Sequence, residues 1–573
     1  MDSKRFLLAI GLTLLILWLY QSWLEYRYPD YYRAEQTVSE GQKGSAKGPA
    51  SQSGTGTPGA GKAPATKGMQ KGTGDEEVPQ VSRESREEKA TGRDVPGAGR
   101  GAAADVGLTV ETDLLRVGFS GQSGDPLEAT LLRYQQKGPG EGESVRVLEP
   151  NSDRVVVAQA GWVAERGQAP SHLARYQGEA TGTRNLKPGE DTIGVTFTHE
   201  QGELEFRKTY RLRRGSYRMD VEYTVVNRGD QAWQGHLYGQ FKKRGKEEGS
   251  FFLYHYDGPV VFAKGEMRTF TRGGLAERTN GQFQVQDAEG WAGVMNRYFL
   301  AAWIPASSSG NAVFARASGP DVLSGFTTPF PRVAPGEERT VTQTLFLGPK
   351  EQSLLEEVGR NLRRSVDYGI LSFLAIPLFE VLQFFHRLVG NYGFAIILVT
   401  LVIKAVFFPL FSISYRAMAK MRKVQPELQR IRENYSDDRQ KMNEEMMRLY
   451  KEERVNPLGG CLPILVQIPV FISLYWVLLE SVELRHEPFI LWITDLTSKD
   501  PFYVLPVLMG GSMVVQQLLN PSPLDPVQKK VMLALPVVFT VFFTQFPAGL
   551  VLYWVSNNVI SIAQQWWITR KVG

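Results

Sequence analysis

The sequence predicts a polytopic α-helical membrane protein of six spans joined to an all-β sandwich held outside the cytoplasm. Three observations carry that reading. Long apolar runs gather at the start of the chain and after about residue 370, as membrane spans require. Between about 106 and 348 the apolar period is two instead, which marks half-buried strands. A single basic residue, Lys404, sits inside the run from Ile396 to Phe408. A charge at the centre of a membrane helix costs roughly 2.5–3.5 kcal/mol on insertion scales, so water, a counter-charge or a ligand is expected to meet it.

The chain has 573 residues and a net charge of +5, long enough for two or three domains and too weakly basic to argue for nucleic acid. One cysteine, Cys461, excludes an intramolecular disulfide, and six scattered histidines show no metal-ligand spacing. Lys4 and Arg5 precede the apolar run Phe6–Tyr20, and Trp18, Tyr20 and Trp23 read as an interfacial aromatic belt. No small-residue cleavage site follows, so residues 1–24 are expected to be an uncleaved anchor with its N-terminus in the cytoplasm. Residues 25–105 are rich in Gly, Ala and Lys, with almost no aromatics after about residue 35. They are expected to form a disordered linker.

The sandwich is expected over 106–350. Tyr217, Met219, Val221, Tyr223 and Val225 alternate with polar residues, and Leu204, Phe206, Tyr210 and Leu212 continue the pattern upstream. Further strands are expected at 108–119, 127–134, 192–198, 298–304 and 340–347. Trp233, Trp291 and Trp303 are assigned to its core in preference to a carbohydrate site. Residues 351–390 read as amphipathic helices on the membrane surface. If 370–389 crossed instead, the basic segment after Phe411 would face outward, against the positive-inside rule.

The second span is placed at 391–411 and a cytoplasmic basic helical hairpin at 412–456. Met418, Met421, Val424, Leu428 and Ile431 recur at helical spacing, as do Met442, Met446 and Leu449, around a turn at Tyr435–Asp438. Arg416, Lys420, Arg422 and Lys423 decorate the first arm. Spans three to six fall within 457–569, and 570–573 form a short cytoplasmic tail. Thr400 lies one turn before Lys404 on the same face. Gln467, Gln516, Gln517, Asn557 and Asn558 are further intramembrane polar groups, either lining a wetted cavity or making ordinary interhelical bonds. No Asp or Glu sits mid-span to pair with Lys404. Catalytic signatures are absent: there is no G-x-S-x-G, H-E-x-x-H or phosphate loop. Neither an enzyme nor a cofactor is expected.

Several motifs, Met421-Arg-Lys-Val-Gln-Pro-Glu-Leu428, Val455-Asn-Pro-Leu-Gly-Gly-Cys-Leu-Pro463, Ser481-Val-Glu-Leu-Arg485, Leu491-Trp-Ile-Thr-Asp-Leu496 and Phe546-Pro-Ala-Gly-Leu-Val-Leu-Tyr-Trp554, stand in order along the last third of the chain. This set closely resembles the YidC membrane protein insertases, and the layout resembles their Gram-negative members with a large periplasmic domain. The resemblance implies a β-supersandwich-like domain and a five-helix insertase core around a hydrophilic groove. Lys404 would hold the groove's basic position, with Thr400 and Gln467 beside it. Phe471, Phe542 and Trp554 would form a hydrophobic slide for the substrate's apolar segment. The hairpin would receive substrates and partners.

The implied function is insertion and chaperoning of nascent inner-membrane proteins without nucleotide hydrolysis, alone or with the Sec translocon and its accessory subunits. Membrane lipids are implied partners, and the ribosome and signal recognition pathway are candidates. The basic groove residue is usually Arg in this family, and Trp554 stands where Tyr is common. The tail after Arg570 is short, so ribosome docking through it is not expected. The runner-up reading is a transporter binding an anionic solute or lipid at Lys404.

Overall fold

The period-two alternation becomes two facing sheets. The computed structural model describes residues 106–137, 142–151, 154–178, 181–245, 256–278, 281–453, 462–520 and 526–572. The expected anchor, the linker and Cys461 lie outside them. The described residues form two compact units that meet in sequence at Ser365 and Val366.

The first unit is all-β, with one ten-stranded and one nine-stranded sheet. At the middle of the first sheet, Trp233–Arg244 pairs antiparallel with Val155–Ala164 and Asp321–Val333. In the second, Arg218–Asn227 pairs antiparallel with Leu204–Arg213 and Glu338–Pro349. The inward faces meet through aromatics: the Trp162 ring lies 5.1 Å from Phe206 and 5.5 Å from Tyr223. Tyr217, Met219, Val221, Tyr223 and Val225 are all buried, and so are Trp233, Trp291 and Trp303. The tryptophans are therefore core.

Two details depart from expectation. Residues 108–119 form a hairpin, Val106–Glu111 and Leu115–Ser120, because the Thr112 hydroxyl accepts the backbone N–H groups of Leu114 and Leu115 and turns the chain. The same two-residue period also carries Lys208 to the inner face between Phe206 and Tyr210. There its ammonium donates to Asp125 Oδ1 and the Ala160 carbonyl, each at 2.7 Å, and lies over the Tyr176 ring.

The second unit is helical: α1 (Ser372–Val389), α2 (Tyr392–Val406), α3 (Phe408–Asn434), α4 (Arg439–Glu452), α5 (Leu462–Glu480), α6 (Val504–Leu519), α7 (Pro526–Phe543) and α8 (Ala548–Val572). A segment at Gly369–Val389, which includes α1, is long and apolar enough by itself to cross a membrane; α2 and α3 pass the same test only as a pair bent by 70°. The apolar helices at Gln467–Glu480, Val504–Leu519 and Lys530–Phe543 are shorter.

A bend falls inside the expected second span. Its helix stops at Val406, and residues 408–411 open α3, because Pro409 in the first turn of α3 has no N–H with which to continue the earlier helix. Tyr435–Asp438 is the hairpin turn. Asp438 caps α4 by accepting from the N–H groups of Gln440 and Lys441. Val424 and Leu428 meet Met446 and Leu449 across the hairpin, with Met421, Ile431 and Met442 at the edges. Met418 packs instead against Phe411, Tyr415 and Ile568.

Candidate functional site

Lys404 lies in the last turn of α2, where the exposed helix carbonyls favour a cation. It is 1% exposed. The ammonium neither reaches solvent nor meets a carboxylate among the described residues. It donates to Ser561 Oγ at 2.8 Å and lies 4.2 Å from the centre of the Phe411 ring. The bend between α2 and α3 makes the second contact possible, since seven residues along a straight helix would carry Phe411 two turns away. A cation over an aromatic face gains electrostatic stabilisation. An ammonium has three N–H donors, and Ser561 accepts from only one.

Ser561 belongs to a buried polar stripe along α8. Asn557, Ser561 and Gln565 follow at intervals of four and so share one face. Ser561 Oγ donates in turn to the Asn557 carbonyl at 2.7 Å, and the Asn557 side-chain oxygen accepts from Gln467 Nε2. Gln467 on α5 is thereby joined to Lys404 on α2 through α8. Thr400 is buried on the Lys404 face, but its hydroxyl donates to the Ile396 carbonyl of its own helix at 2.7 Å.

Other polar groups hold helices together. Asn558 Nδ2 donates to Ser512 Oγ at 2.9 Å, and Gln565 Nε2 donates to Asn520 Oδ1 at 3.0 Å. Gln516 and Gln517 are half-buried.

The three aromatic candidates share one cluster. The Phe471 and Trp554 rings lie 5.0 Å apart, and Trp554 lies 5.7 Å from Phe543. Phe542 joins through Phe543 at 5.6 Å and Phe546 at 4.9 Å. Phe542 remains exposed, while Phe471 and Trp554 are half-buried. The indole N–H of Trp554 has no acceptor among the described residues. Arg416, Lys420, Arg422 and Lys423 are exposed along α3, turned away from the buried seam of the hairpin. No group of three metal-ligating side chains occurs among the described residues.

Sequence reasoning passed over Ser561 and the role of Phe411. The signal for Ser561 was present in the four-residue spacing from Asn557 to Gln565. Nothing in the local sequence placed Phe411 over Lys404, because that contact depends on the bend.

A buried cation, a polar stripe and an aromatic cluster gathered by apolar helices, in one chain with a two-sheet domain, define a helical membrane protein with a large all-β domain. Residues 384–573 match the family model described as 60Kd inner membrane protein, and residues 107–381 match that of the YidC periplasmic domain. The membrane protein insertase YidC of Methylococcus capsulatus is 45% identical over 470 residues, covering 81% of this chain and 86% of the relative. That of Nitrosococcus oceani is 46% identical over 468 residues, covering 81% and 85%. A solved structure of an active YidC insertase with its first transmembrane domain resolved overlaps 79% of this chain and 91% of its own, at 17% identity and a TM-score of 0.36. The chain belongs to the YidC family of membrane protein insertases.

Proposed function

We propose that this chain inserts nascent inner-membrane proteins into the bilayer and chaperones them there, alone or beside the Sec translocon and its accessory subunits. The reading has six crossings, both termini in the cytoplasm and the β domain in the periplasm. Its domain limits are those expected from the sequence, except that 351–365 go with the β unit; a bend of 70° falls inside the second span. Of the 351–390 segment expected on the outer membrane surface, this reading keeps 366–390 there. The positive-inside argument supports that choice, although the segment at Gly369–Val389 is apolar and long enough to cross.

The observation that carries the mechanism is the contact set of Lys404. A buried charge without full pairing is costly, and here a hydroxyl and a ring face stand where a carboxylate would balance it. A polar or acidic stretch of substrate would supply the missing acceptors. Thr400 and Gln467 flank that position. The substrate's apolar segment then leaves past Phe471, Phe542 and Trp554 into lipid. Each buried CH₂ contributes about 0.8 kcal/mol, so partition drives the step and no nucleotide or enzyme chemistry is invoked. Arg416, Lys420, Arg422 and Lys423 give the hairpin a basic face suited to anionic lipid headgroups, and the hairpin receives substrates and partners. The ribosome and signal recognition pathway are candidate sources of those substrates.

A photo-crosslinker at Thr400 in the native membrane tests this reading. Capture of a stalled nascent membrane protein is expected, whereas capture of lipid or solute alone would move the assignment to a transporter. Lys404→Glu should sharply reduce insertion of substrates with acidic translocated segments and spare neutral ones. Equal insertion of both classes would remove the role given to the charge.

A further inference from the structure

The segment between α5 and α6, residues 485–503, is a rigid frame that exposes apolar side chains. Asp495 organises one half: its carboxylate accepts from the N–H groups of His486 and Thr497 and from the hydroxyls of Thr497 and Ser498. Asp500, itself buried, organises the other. It accepts from Trp492 Nε1 at 3.0 Å and from the N–H groups of Phe502 and Leu505, which fixes the start of α6. A tight turn closed by Phe489 N–H to the Ile493 carbonyl and Ile493 N–H to the Ile490 carbonyl puts Ile490 and Leu491 at its tip.

Three residues that are not glycine, His486, Leu491 and Tyr503, hold φ of 61°, 55° and 58°. A bulky residue adopts that conformation only where its surroundings impose it. The result is outward display rather than burial: Leu491 is 80% exposed and Phe502 68% exposed, with Ile490 and Tyr503 exposed beside them.

The frame is anchored at the ends of several helices. Asn391, which caps α2, donates to the carbonyls of Pro488 and Phe489. The N–H groups of Ala548 and Gly549, at the start of α8, donate to Ser498 and Leu496. The segment therefore sits at the level where α2, α6 and α8 begin and α5 ends. Its apolar surface runs on into that of α6, where Val507 and Leu508 are also exposed. Aromatic and aliphatic side chains at the level of helix termini suit the boundary between headgroups and acyl chains.

We propose that this segment is seated in the periplasmic leaflet of the bilayer, with Ile490, Leu491, Phe502 and Tyr503 immersed at the headgroup–acyl boundary. The frame would act as a wedge that fixes the depth of the outer helix ends and closes that end of the bundle. The inference rests on the helices being spans and on the proposed topology, and its test reads the membrane embedding separately.

Nitroxide labels would be placed by Leu491→Cys or Phe502→Cys in the full chain carrying Cys461→Ser, reconstituted in phosphatidylethanolamine–phosphatidylglycerol vesicles. Gln429→Cys on the exposed face of α3 serves as the aqueous reference and Val541→Cys on the exposed face of α7 as the lipid reference. The ratio of oxygen to nickel-chelate accessibility at 491 and 502 should exceed that at 429 several-fold and approach that at 541. A ratio equal to that at 429 would overturn the proposal by placing the tip in water. Low access to both reagents would overturn it too, because protein, such as a second copy of the chain, would then cover the tip. Aqueous access at 541 as well would overturn the membrane reading and this one together.

Discussion

Two buried lysines show how differently the chain treats a cation. Lys208 has a full coordination set: Asp125, two backbone carbonyls and an aromatic face inside the sandwich. Removing one partner of such a pair leaves an uncompensated buried charge and costs about 3–5 kcal/mol. Lys208→Met should therefore destabilise the β domain by that amount, measured by urea unfolding followed through its tryptophan signal. Lys208→Met combined with Asp125→Leu should recover most of the loss; no recovery would mean that packing, not charge, is at stake. Among the described residues, Lys404 has Ser561 and the Phe411 ring. Ser561→Ala removes the hydrogen-bond acceptor it has among the described residues, and leaving a buried donor unsatisfied costs about 1–3 kcal/mol, more for a charged group. Thermal unfolding in detergent should show that loss in the wild-type background and little of it in Lys404→Met. Equal losses in both backgrounds would show that Ser561 acts independently of the lysine.

At the scale of elements, the hairpin of α3 and α4 depends on a seam of only four buried residues, Val424, Leu428, Met446 and Leu449. Leu→Ala in a packed core costs about 2–5 kcal/mol, a large share of what so small a core supplies. Leu428→Ala should therefore open the hairpin, with proteolysis at the Tyr435–Asp438 turn accelerated at least tenfold; unchanged cleavage would mean that lipid or neighbouring helices hold the arms. Much of this level was legible. The seam and its turn follow from helical spacing, and the strand at 218–227 follows from strict alternation, because each period assigns side chains to faces without reference to distant residues. Lys208 was legible too, since it falls in phase with Phe206 and Tyr210, yet a lysine on an inner face is rare enough to be passed over. The bend at Phe407 was not read because an apolar run continues across it; only Pro409 hinted at a break. The aromatics proposed as the slide are far apart in sequence, and only the packing of α5, α7 and α8 brings Phe471 to Trp554 and, through Phe543, Trp554 to Phe542.

At the scale of the whole molecule, the chain consists of two units with separate cores. Every contact invoked for insertion, from Lys404 and Ser561 to Phe471, Phe542 and Trp554, lies within residues 366–573. The β unit buries its tryptophans between its own sheets and satisfies its inner lysine internally. Deletion of residues 106–348, with the anchor and linker retained, should leave the helical unit folded and most insertion intact. Insertion of a membrane protein with a short acidic translocated segment, read by protease protection in vesicles, is the measurement. The deletion should still lose that activity on Lys404→Glu, as the full chain does. If the shortened chain were stable and membrane-bound yet inactive, the β unit would have to take part in handling substrate. A mechanism confined to the helices would then fail, whatever the state of Lys404.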